Sequence, residues 1–211
     1  MFKLLAAAAG FVAARMSEVE KQDALYNWYK TIRADKVVFA LNCGSDRAWR
    51  DSEAGFDYMP DAHYNGGNES KDGAYKNWLV PQPEPYHYER WSSEDLVYKI
   101  PFGEPDGTYT LVLKFSEVYF QYPGQKVFNV KIGDTTVIYD LDIVAESTRP
   151  YMPHDEFIEL EISKGKVRQN GTLLKNALQN GKLHVTFAKG KADNPKINAI
   201  AMVRGGPENT H

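Results

Sequence analysis

Aromatic rings and a carboxylate lie together where one apolar segment of the sequence gives way to a turn. The stretch "SEVYFQYPG" places Glu117 two residues before the adjacent rings of Tyr119 and Phe120, and a Pro-Gly pair follows. Aromatic rings can cover the apolar C–H faces of a neutral sugar, while carboxylate oxygens accept hydrogen bonds from its hydroxyls. The stretch therefore predicts a carbohydrate-binding surface. Its structural alternative is a set of rings that closes the end of the hydrophobic core.

Two further clusters carry the same kinds of side chain. The segment "YHYERW" ends in Trp91, and "KGKADNPKI" contains Asp193 followed by Asn194 and Pro195. Asp-Asn-Pro readily initiates a turn, which is the structural interpretation, whereas the functional interpretation is a carboxylate acceptor presented on a loop between strands. Glu117 and Asp193 also raise the alternative of a glycoside hydrolase, which needs two carboxylates that face one cleft.

The composition argues against several other kinds of chemistry. A formal net charge of -3 provides no basic field for a phosphate backbone, so nucleic acid is not an expected partner. The single cysteine, Cys43, excludes an internal disulfide framework and a cysteine-rich zinc site, and no partner motif supports its use as a nucleophile. Three adjacent residues such as His154, Asp155 and Glu156 seldom converge on one ion, so we assign them to a structural network. We expect no metal, no cofactor and no enzymatic activity.

The elements that must position these side chains are predominantly strands. From residue 95 onward, apolar and polar residues alternate in short segments separated by Gly- and Asp-containing turns. Without interleaved helical patterns, this organisation predicts an all-β fold, an antiparallel β-sandwich of the jelly-roll, galactose-binding-like kind. The predicted strands are 36–41, 96–100, 109–120, 127–132, 137–143, 157–162, 183–189 and 197–203.

The segment from Tyr109 to Phe120 has a register that bears on the proposed surface. Its odd-numbered residues share one face as far as Phe115, and the same face continues to Glu117. An ionised glutamate is costly in a core unless it is paired or solvated. We therefore expect the strand to reach the rim of the sandwich by Glu117, with the two aromatic residues at the junction with the loop.

The first 35 residues form a predicted extension ahead of the domain. Residues 1–14, "MFKLLAAAAGFVAA", fit a minimal secretory signal peptide, and the rival interpretation is a helical start or an extension upstream of Met16. Residues 17–33 have apolar residues at a helical spacing, which predicts a short amphipathic helix. The apolar N-terminal run is too short to span a bilayer, and we expect no transmembrane segment.

Residues 46–88 are predicted to form a long loop. The stretch is polar and rich in Gly and Pro, and a loop of this length in a compact domain is usually functional or disordered. Its many aromatic residues argue against disorder.

Several segments, in a defined order, carry a family resemblance. They are "VVFALNCGS" (37–45), "YHYERW" (86–91), "YTLVLKFSEVYFQYPGQKVFNVKIG" (109–133), "DLDIV" (140–144), "HDEFIELEISKGK" (154–166) and "GKLHVTFAKGKADNPKINAIAM" (181–202). Together they resemble the malectin-domain family over residues 36–204. The resemblance leaves residues 1–35 as the N-terminal extension and 205–211 as a C-terminal tail.

The resemblance implies a lectin-like β-sandwich that binds glucose-containing oligosaccharides or N-glycans without catalytic activity. It also implies a location in the endoplasmic reticulum or the secretory pathway, and a protein partner in a glycoprotein quality-control complex. One alternative is a protein-interaction domain of the same fold that has lost sugar binding. In that case the chain would be a cytoplasmic adaptor or a fragment of a larger receptor or motor protein.

The family motifs also imply which side chains bind the sugar. These are Tyr64, Trp91, Tyr119, Phe120 and Asp193. Trp91 stands where the family has the tyrosine of an "ERY" motif, so a ring is kept and a phenolic hydroxyl is lost. Tyr64 is the predicted equivalent of a tyrosine in the variable loop, with Tyr58 and Tyr75 as rivals.

Overall fold

Two packed β-sheets enclose the main hydrophobic core of the protein. The computed structural model describes residues 18–70, 85–147 and 150–207. The signal-like residues 1–14, Tyr75 and residues 208–211 lie outside the described residues.

The secondary structure is mostly β-strand. The helices among the described residues are α1 (Glu18–Lys30) and α2 (Ile143–Glu146), with a 3-10 turn at Ala34–Lys36. In chain order the strands are β1 (Val37–Asn42), β2 (Trp49–Asp51), β3 (Phe56–Pro60), β4 (Asn68–Ser70), β5 (Glu89–Trp91), β6 (Leu96–Pro101), β7 (Gly107–Ser116), β8 (Val127–Ile132), β9 (Thr135–Leu141), β10 (Pro153–Ser163), β11 (Lys166–Gln169), β12 (Thr172–Leu174), β13 (Leu178–Gln179), β14 (Lys182–Ala192), β15 (Lys196–Ile197) and β16 (Ala199–Arg204).

The strands form two large sheets and one small one. The larger sheet has the order β12-β11-β10-β7-β16-β1-β3-β2, and the second contains β13, β14, β8 and β9, with β6 also paired to β14. The small sheet has the order β15-β5-β4, and its strands β5 and β15 belong to two of the predicted binding clusters, "YHYERW" and "KGKADNPKI". Among the strands that the structure describes, pairing is antiparallel except between β1 and β3, which run parallel. The predicted all-β sandwich is confirmed.

Strand β7 shows how the residue pattern builds the core. Its odd-numbered residues from Tyr109 to Phe115 belong to the core between the two large sheets, whereas Val112 belongs to a second cluster on the other face of the larger sheet. The ring of Phe115 contacts Phe128 of β8 and Phe187 of β14, at centroid distances of 6.0 and 6.1 Å. The predicted register of this strand is therefore confirmed over residues 109–115.

The prediction of one long loop over residues 46–88 is wrong in part. Strands β2, β3 and β4 lie inside it, and β3 alternates the buried residues Phe56 and Tyr58 with the exposed residues Asp57 and Met59. These strands are short and contain polar residues, so their ladder partners decide their conformation more than local propensity does.

Helix α1 covers the outer face of the larger sheet. Tyr29 is 2% exposed, and its hydroxyl lies 2.8 Å from Asp51 Oδ2 and 2.7 Å from the hydroxyl of Tyr58. Ile32, just past the helix, is also buried in this cluster. The predicted short N-terminal helix is confirmed, and this part of the N-terminal extension packs against the domain. Of the described helices, none is both long enough and apolar enough to cross a membrane.

The "HDE" sequence has a structural role within β10. His154 Nε2 and Glu156 Oε1 are 2.8 Å apart, whereas Asp155 accepts hydrogen bonds from Lys114 Nζ at 2.6 Å and from the Tyr86 hydroxyl at 2.8 Å. Neighbouring side chains of a strand point to opposite faces, so these three groups cannot converge on one ion.

The packing of α1 against the larger sheet can be tested by measuring the stability of Tyr29 variants. Tyr29→Ala is expected to lower the free energy of unfolding by about 3 to 5 kcal/mol because it removes a buried aromatic ring. Tyr29→Phe is expected to cost about 1 to 3 kcal/mol because it leaves the Asp51 and Tyr58 oxygens with fewer partners. Urea unfolding measures both, with Tyr26→Phe at a more exposed position as the control. Wild-type stability of Tyr29→Ala would show that the helix does not dock.

Candidate functional site

A pocket of about 270 Å³ lies where the three sequence clusters meet. Its described lining residues are Ser70, Glu89, Trp91, Tyr119, Lys126, Asp193 and Asn194. They come from the small sheet, from the loop between β7 and β8, and from the turn between β14 and β15. The fold thus brings segments that are distant in sequence to one concave surface.

Three of the predicted binding residues line this pocket, and a fourth lies beside it. Trp91, Tyr119 and Asp193 are lining residues. The ring of Phe120 packs edge-on against that of Tyr119, with centroids 4.9 Å apart, and it lies 5.5 Å from Lys126 Nζ. Phe120 therefore supports the wall that Tyr119 forms.

Tyr64 is placed on the other side of β5. Its ring centroid lies 3.5 Å from the Arg90 guanidinium carbon, and Arg90 Nε donates to Asp61 at 2.5 Å. Because adjacent residues of a strand point to opposite faces, Glu89 and Trp91 face the pocket while Arg90 faces away from it. Tyr64 follows Arg90 and is not among the described lining residues.

The two rivals of Tyr64 are not placed at the pocket either. Tyr58 has 0% relative exposure and packs under helix α1, with its hydroxyl next to that of Tyr29. Tyr75 lies outside the described residues.

Trp91 is held by its position between two strands. It pairs with Asn68 of β4 on one side and with Lys196 of β15 on the other. Its indole Nε1 donates to Ser70 Oγ at 3.1 Å, so its polar edge is satisfied within the protein. The ring faces are the remaining surface that it can offer to a ligand.

Lys126 is the most important pocket residue that sequence reasoning missed. Its Nζ donates to Asp193 Oδ2 at 2.5 Å and to the carbonyl of Asn194 at 3.0 Å. It also lies 4.0 Å from Glu117 Oε2. The ammonium group thus joins the loop between β7 and β8 to the Asp-Asn-Pro turn. A single lysine before an alternating strand carries no signal in the sequence that would reveal this contact.

A second lysine pairs with an acidic residue in the pocket wall. Lys196 Nζ donates to the carboxylate of Glu89 and to the carbonyl of Ser116, the last residue of β7. Both charged side chains are buried, at 1% and 11% side-chain exposure. A buried charge requires a partner of this kind, so the pair holds β15 and β5 in place next to the end of β7.

The aromatic loop, residues 117–126, begins at an unexpected position. Strand β7 ends at Ser116, so the prediction that it continues to Phe120 is wrong. Glu117 Oε1 accepts the backbone N–H groups of Tyr119 at 2.7 Å and of Phe120 at 3.0 Å. A side chain that binds nearby amides competes with the strand ladder, which explains why the strand stops here. The strand does end by Glu117, as its register predicted, and of the two states left open for this carboxylate, paired or solvated, the structure shows the first: Glu117 is 1% exposed and hydrogen-bonded.

Other side chains hold the rest of the aromatic loop. Gln125 Oε1 accepts the N–H groups of Gln121 and Tyr122 at 3.3 and 3.0 Å, and the carboxylate of Asp142 accepts the N–H of Gly124. Pro123 has no N–H to satisfy. Each backbone N–H from residue 119 to 124 therefore has a side-chain acceptor, which makes the loop a defined surface rather than an adaptable one.

Neither an exposed thiol nor a metal-binding cluster is found among the described residues. Cys43 is fully buried, and burial raises the pKa of its thiol well above the ordinary value, which disfavours the nucleophilic thiolate. The described residues contain no group of three or more His, Cys, Asp or Glu side chains that could hold a metal ion. Rings, carboxylates and a lysine in a small cleft are suited to binding a hydroxyl-rich ligand.

Comparison with known proteins identifies the family. Residues 37–200 match the family model of the malectin domain. The chain belongs to the malectin-domain family. The resemblance found in the sequence is confirmed, and the match includes every lining residue of the pocket.

The malectin domain of this chain has relatives among vertebrate proteins. It is 39% identical to Malectin-A of Xenopus laevis over 179 residues, which is 82% of this chain and 61% of that protein. It is 42% identical to human malectin over 123 residues, which is 57% of this chain and 39% of that protein. The chain thus spans less than two thirds of these relatives.

A solved structure shares the fold of this malectin domain. The extracellular domain of ANXUR2 from Arabidopsis thaliana matches 80% of this chain and 48% of its own, with a TM-score of 0.62. At 15% sequence identity the similarity concerns the fold alone.

Because Lys126 is buried, its ion pair with Asp193 is expected to contribute more to stability than an exposed ion pair of the same chemistry. Lys126→Met is expected to lower the free energy of unfolding by about 1.5 to 3 kcal/mol because it removes charged hydrogen bonds from a buried site. Lys191→Met is the matched control, since Lys191 pairs with Asp140 at the same 2.5 Å distance but is 73% exposed. The control should cost less than about 1 kcal/mol. Equal losses in urea unfolding would contradict the role assigned to Lys126.

Proposed function

We propose that this malectin domain binds neutral, glucose-containing oligosaccharides and performs no chemistry on them. The observation that carries the proposal is the convergence of Trp91, Tyr119 and Asp193 on one pocket from three separate segments. Two rings supply apolar faces for the C–H surface of a pyranose, and the carboxylate accepts hydrogen bonds from its hydroxyls.

The ion pair makes Asp193 a directional acceptor. Lys126 contacts Oδ2, and this contact fixes the direction in which Oδ1 is presented. Asp193 has a φ of +54°, a left-handed conformation, so the turn itself also orients the side chain. A preorganised acceptor gives up little conformational entropy when a ligand binds. Glu89 and Asp193 in the wall are each paired with a lysine, so the wall has no unpaired charge to recognise a charged sugar, which favours a neutral one.

The remaining predicted binding residues enter the proposal differently. Phe120 acts through Tyr119, whose ring it supports. A direct sugar contact by Tyr64 stays a prediction, because its ring covers Arg90 on the face of β5 opposite to Trp91.

Binding without hydrolysis is supported by the state of Glu117. Its carboxylate is 1% exposed, and one of its oxygens already accepts two backbone N–H groups. A general acid or a nucleophile has to reach the glycosidic bond. The alternative of a hydrolase that uses Glu117 and Asp193 therefore lacks an accessible first carboxylate.

Family membership supports two further parts of the proposal. We place the chain in the endoplasmic reticulum or elsewhere in the secretory pathway, where N-glycans carrying glucose would be its ligands and a glycoprotein quality-control complex its partner. Direct binding to a protein, in the cytoplasm or as part of a larger receptor or motor protein, is the alternative. It predicts a stable protein partner and no glycan binding.

Titration calorimetry with nigerose, maltose and longer glucans tests the proposal. Trp91→Ala and Asp193→Asn are each expected to weaken binding about tenfold or more, as the loss of a stacking ring or of a charged hydrogen bond implies. Asparagine tolerates the left-handed conformation, so the second variant isolates the charge. Asp140→Asn is the matched control, since Asp140 also has a positive φ and a lysine partner.

Two outcomes would refute the proposal. One is the absence of binding by the wild-type protein to every glucan and on a glycan array. The other is the release of reducing sugar that disappears in Glu117→Gln, which would establish the hydrolase instead.

A further inference from the structure

A third aromatic residue of the loop has no role in the pocket described above. Tyr122 is 69% exposed, and Tyr119, on the same loop, is 65% exposed. The pocket is lined by Tyr119 but not by Tyr122. An isolated exposed tyrosine needs no explanation. Here two exposed rings lie on one loop, and one of them forms part of the pocket wall, so a functional explanation is warranted.

The backbone beneath Tyr122 is held in place from both sides. Its own N–H donates to Gln125 Oε1 at 3.0 Å. Pro123 restricts the following φ, and Gly124 is in a left-handed conformation, with a φ of +83°, while its N–H binds Asp142. The ring therefore stands on a rigid backbone although it is exposed to solvent. A ligand that contacts it would order little more than one side chain.

The two residues are also near each other along the backbone. Residues 119 and 122 are separated by three peptide units, so their Cα atoms are at most about 11 Å apart even in a fully extended chain. A short oligosaccharide can bridge that distance. A saccharide residue next to the one in the pocket would then lie near the backbone that carries Tyr122.

We propose that Tyr122 forms a second aromatic subsite, which binds an additional residue of a neutral oligosaccharide extending out of the pocket. The inference rests on the proposed function of the pocket and specifies its ligand as a chain longer than a disaccharide. The surface at Tyr122 is a single ring without a cleft, so it recognises the apolar face of a sugar residue rather than its pattern of hydroxyls. The subsite should therefore increase the affinity for longer oligosaccharides while distinguishing little between glycosidic linkages.

Calorimetric titration of the whole chain with maltose through maltohexaose, and with nigerose and its longer homologues, tests this subsite. The wild-type protein should bind a trisaccharide or tetrasaccharide about three- to tenfold more tightly than the disaccharide, the gain expected of one stacking contact. Tyr122→Ala should abolish that gain and leave the disaccharide affinity unchanged, whereas Tyr122→Trp should keep it. Tyr139→Ala is the matched control, since Tyr139 is 74% exposed on β9.

Saturation-transfer NMR gives a second readout. Irradiation of the protein should label the outer sugar residue of the bound tetrasaccharide in the wild type, and this label should be lost selectively in Tyr122→Ala. The subsite would be overturned if Tyr122→Ala weakened the disaccharide and the tetrasaccharide equally, or weakened neither. A wild-type protein that binds the disaccharide but gains nothing from length would refute the subsite alone. A wild-type protein that binds no sugar would refute the proposed function as well.

Discussion

The contact between the Lys126 ammonium and the Asp193 carboxylate is the interaction on which the pocket depends. It joins the loop that follows β7 to the turn that follows β14, two segments that the chain brings together only through the sandwich. One partner is largely buried and the other is 30% exposed, so the pair is neither fully screened by water nor fully desolvated. Such a pair can orient a carboxylate toward a ligand.

A set of buried polar groups supports the pocket, and each of them avoids a desolvation penalty only because the others bind it. Lys196 bonds Glu89 and the end of β7, while the side-chain amide of Asn198 donates to the carbonyls of Tyr86 and Tyr88 at 3.1 and 2.6 Å. The same Asn198 accepts the N–H of Ser116 at 2.9 Å through its oxygen. Each of these groups would incur a desolvation penalty if its partner moved. The network therefore fixes the small sheet, and with it Trp91, relative to the end of β7.

Local pattern predicted the regular parts of this fold and missed the parts that depend on remote partners. Strand β8 has the predicted bounds, and the alternation in β7 assigned its core face correctly, because a two-residue period survives wherever one face is buried. The short strands β2 to β4 escaped prediction, since they exist through their ladder partners. The sequence left the state of Glu117 open, because a glutamate in a core register is tolerated either when it is solvated or when buried donors bind it. Only the folded loop shows that the second applies.

The sequence by itself determined the class of fold, the family, and the three clusters from which the candidate site is made. Residue type and spacing are sufficient for this, because they record which faces are buried and which segments carry rings and carboxylates. Only the tertiary structure decided which of these side chains share a pocket: it united Trp91, Tyr119 and Asp193, supplied Lys126, and turned Tyr64 to the far side of β5. The physical reason is that a binding site is defined by distances between segments remote along the chain, which strand register and loop hydrogen bonds set and composition does not encode.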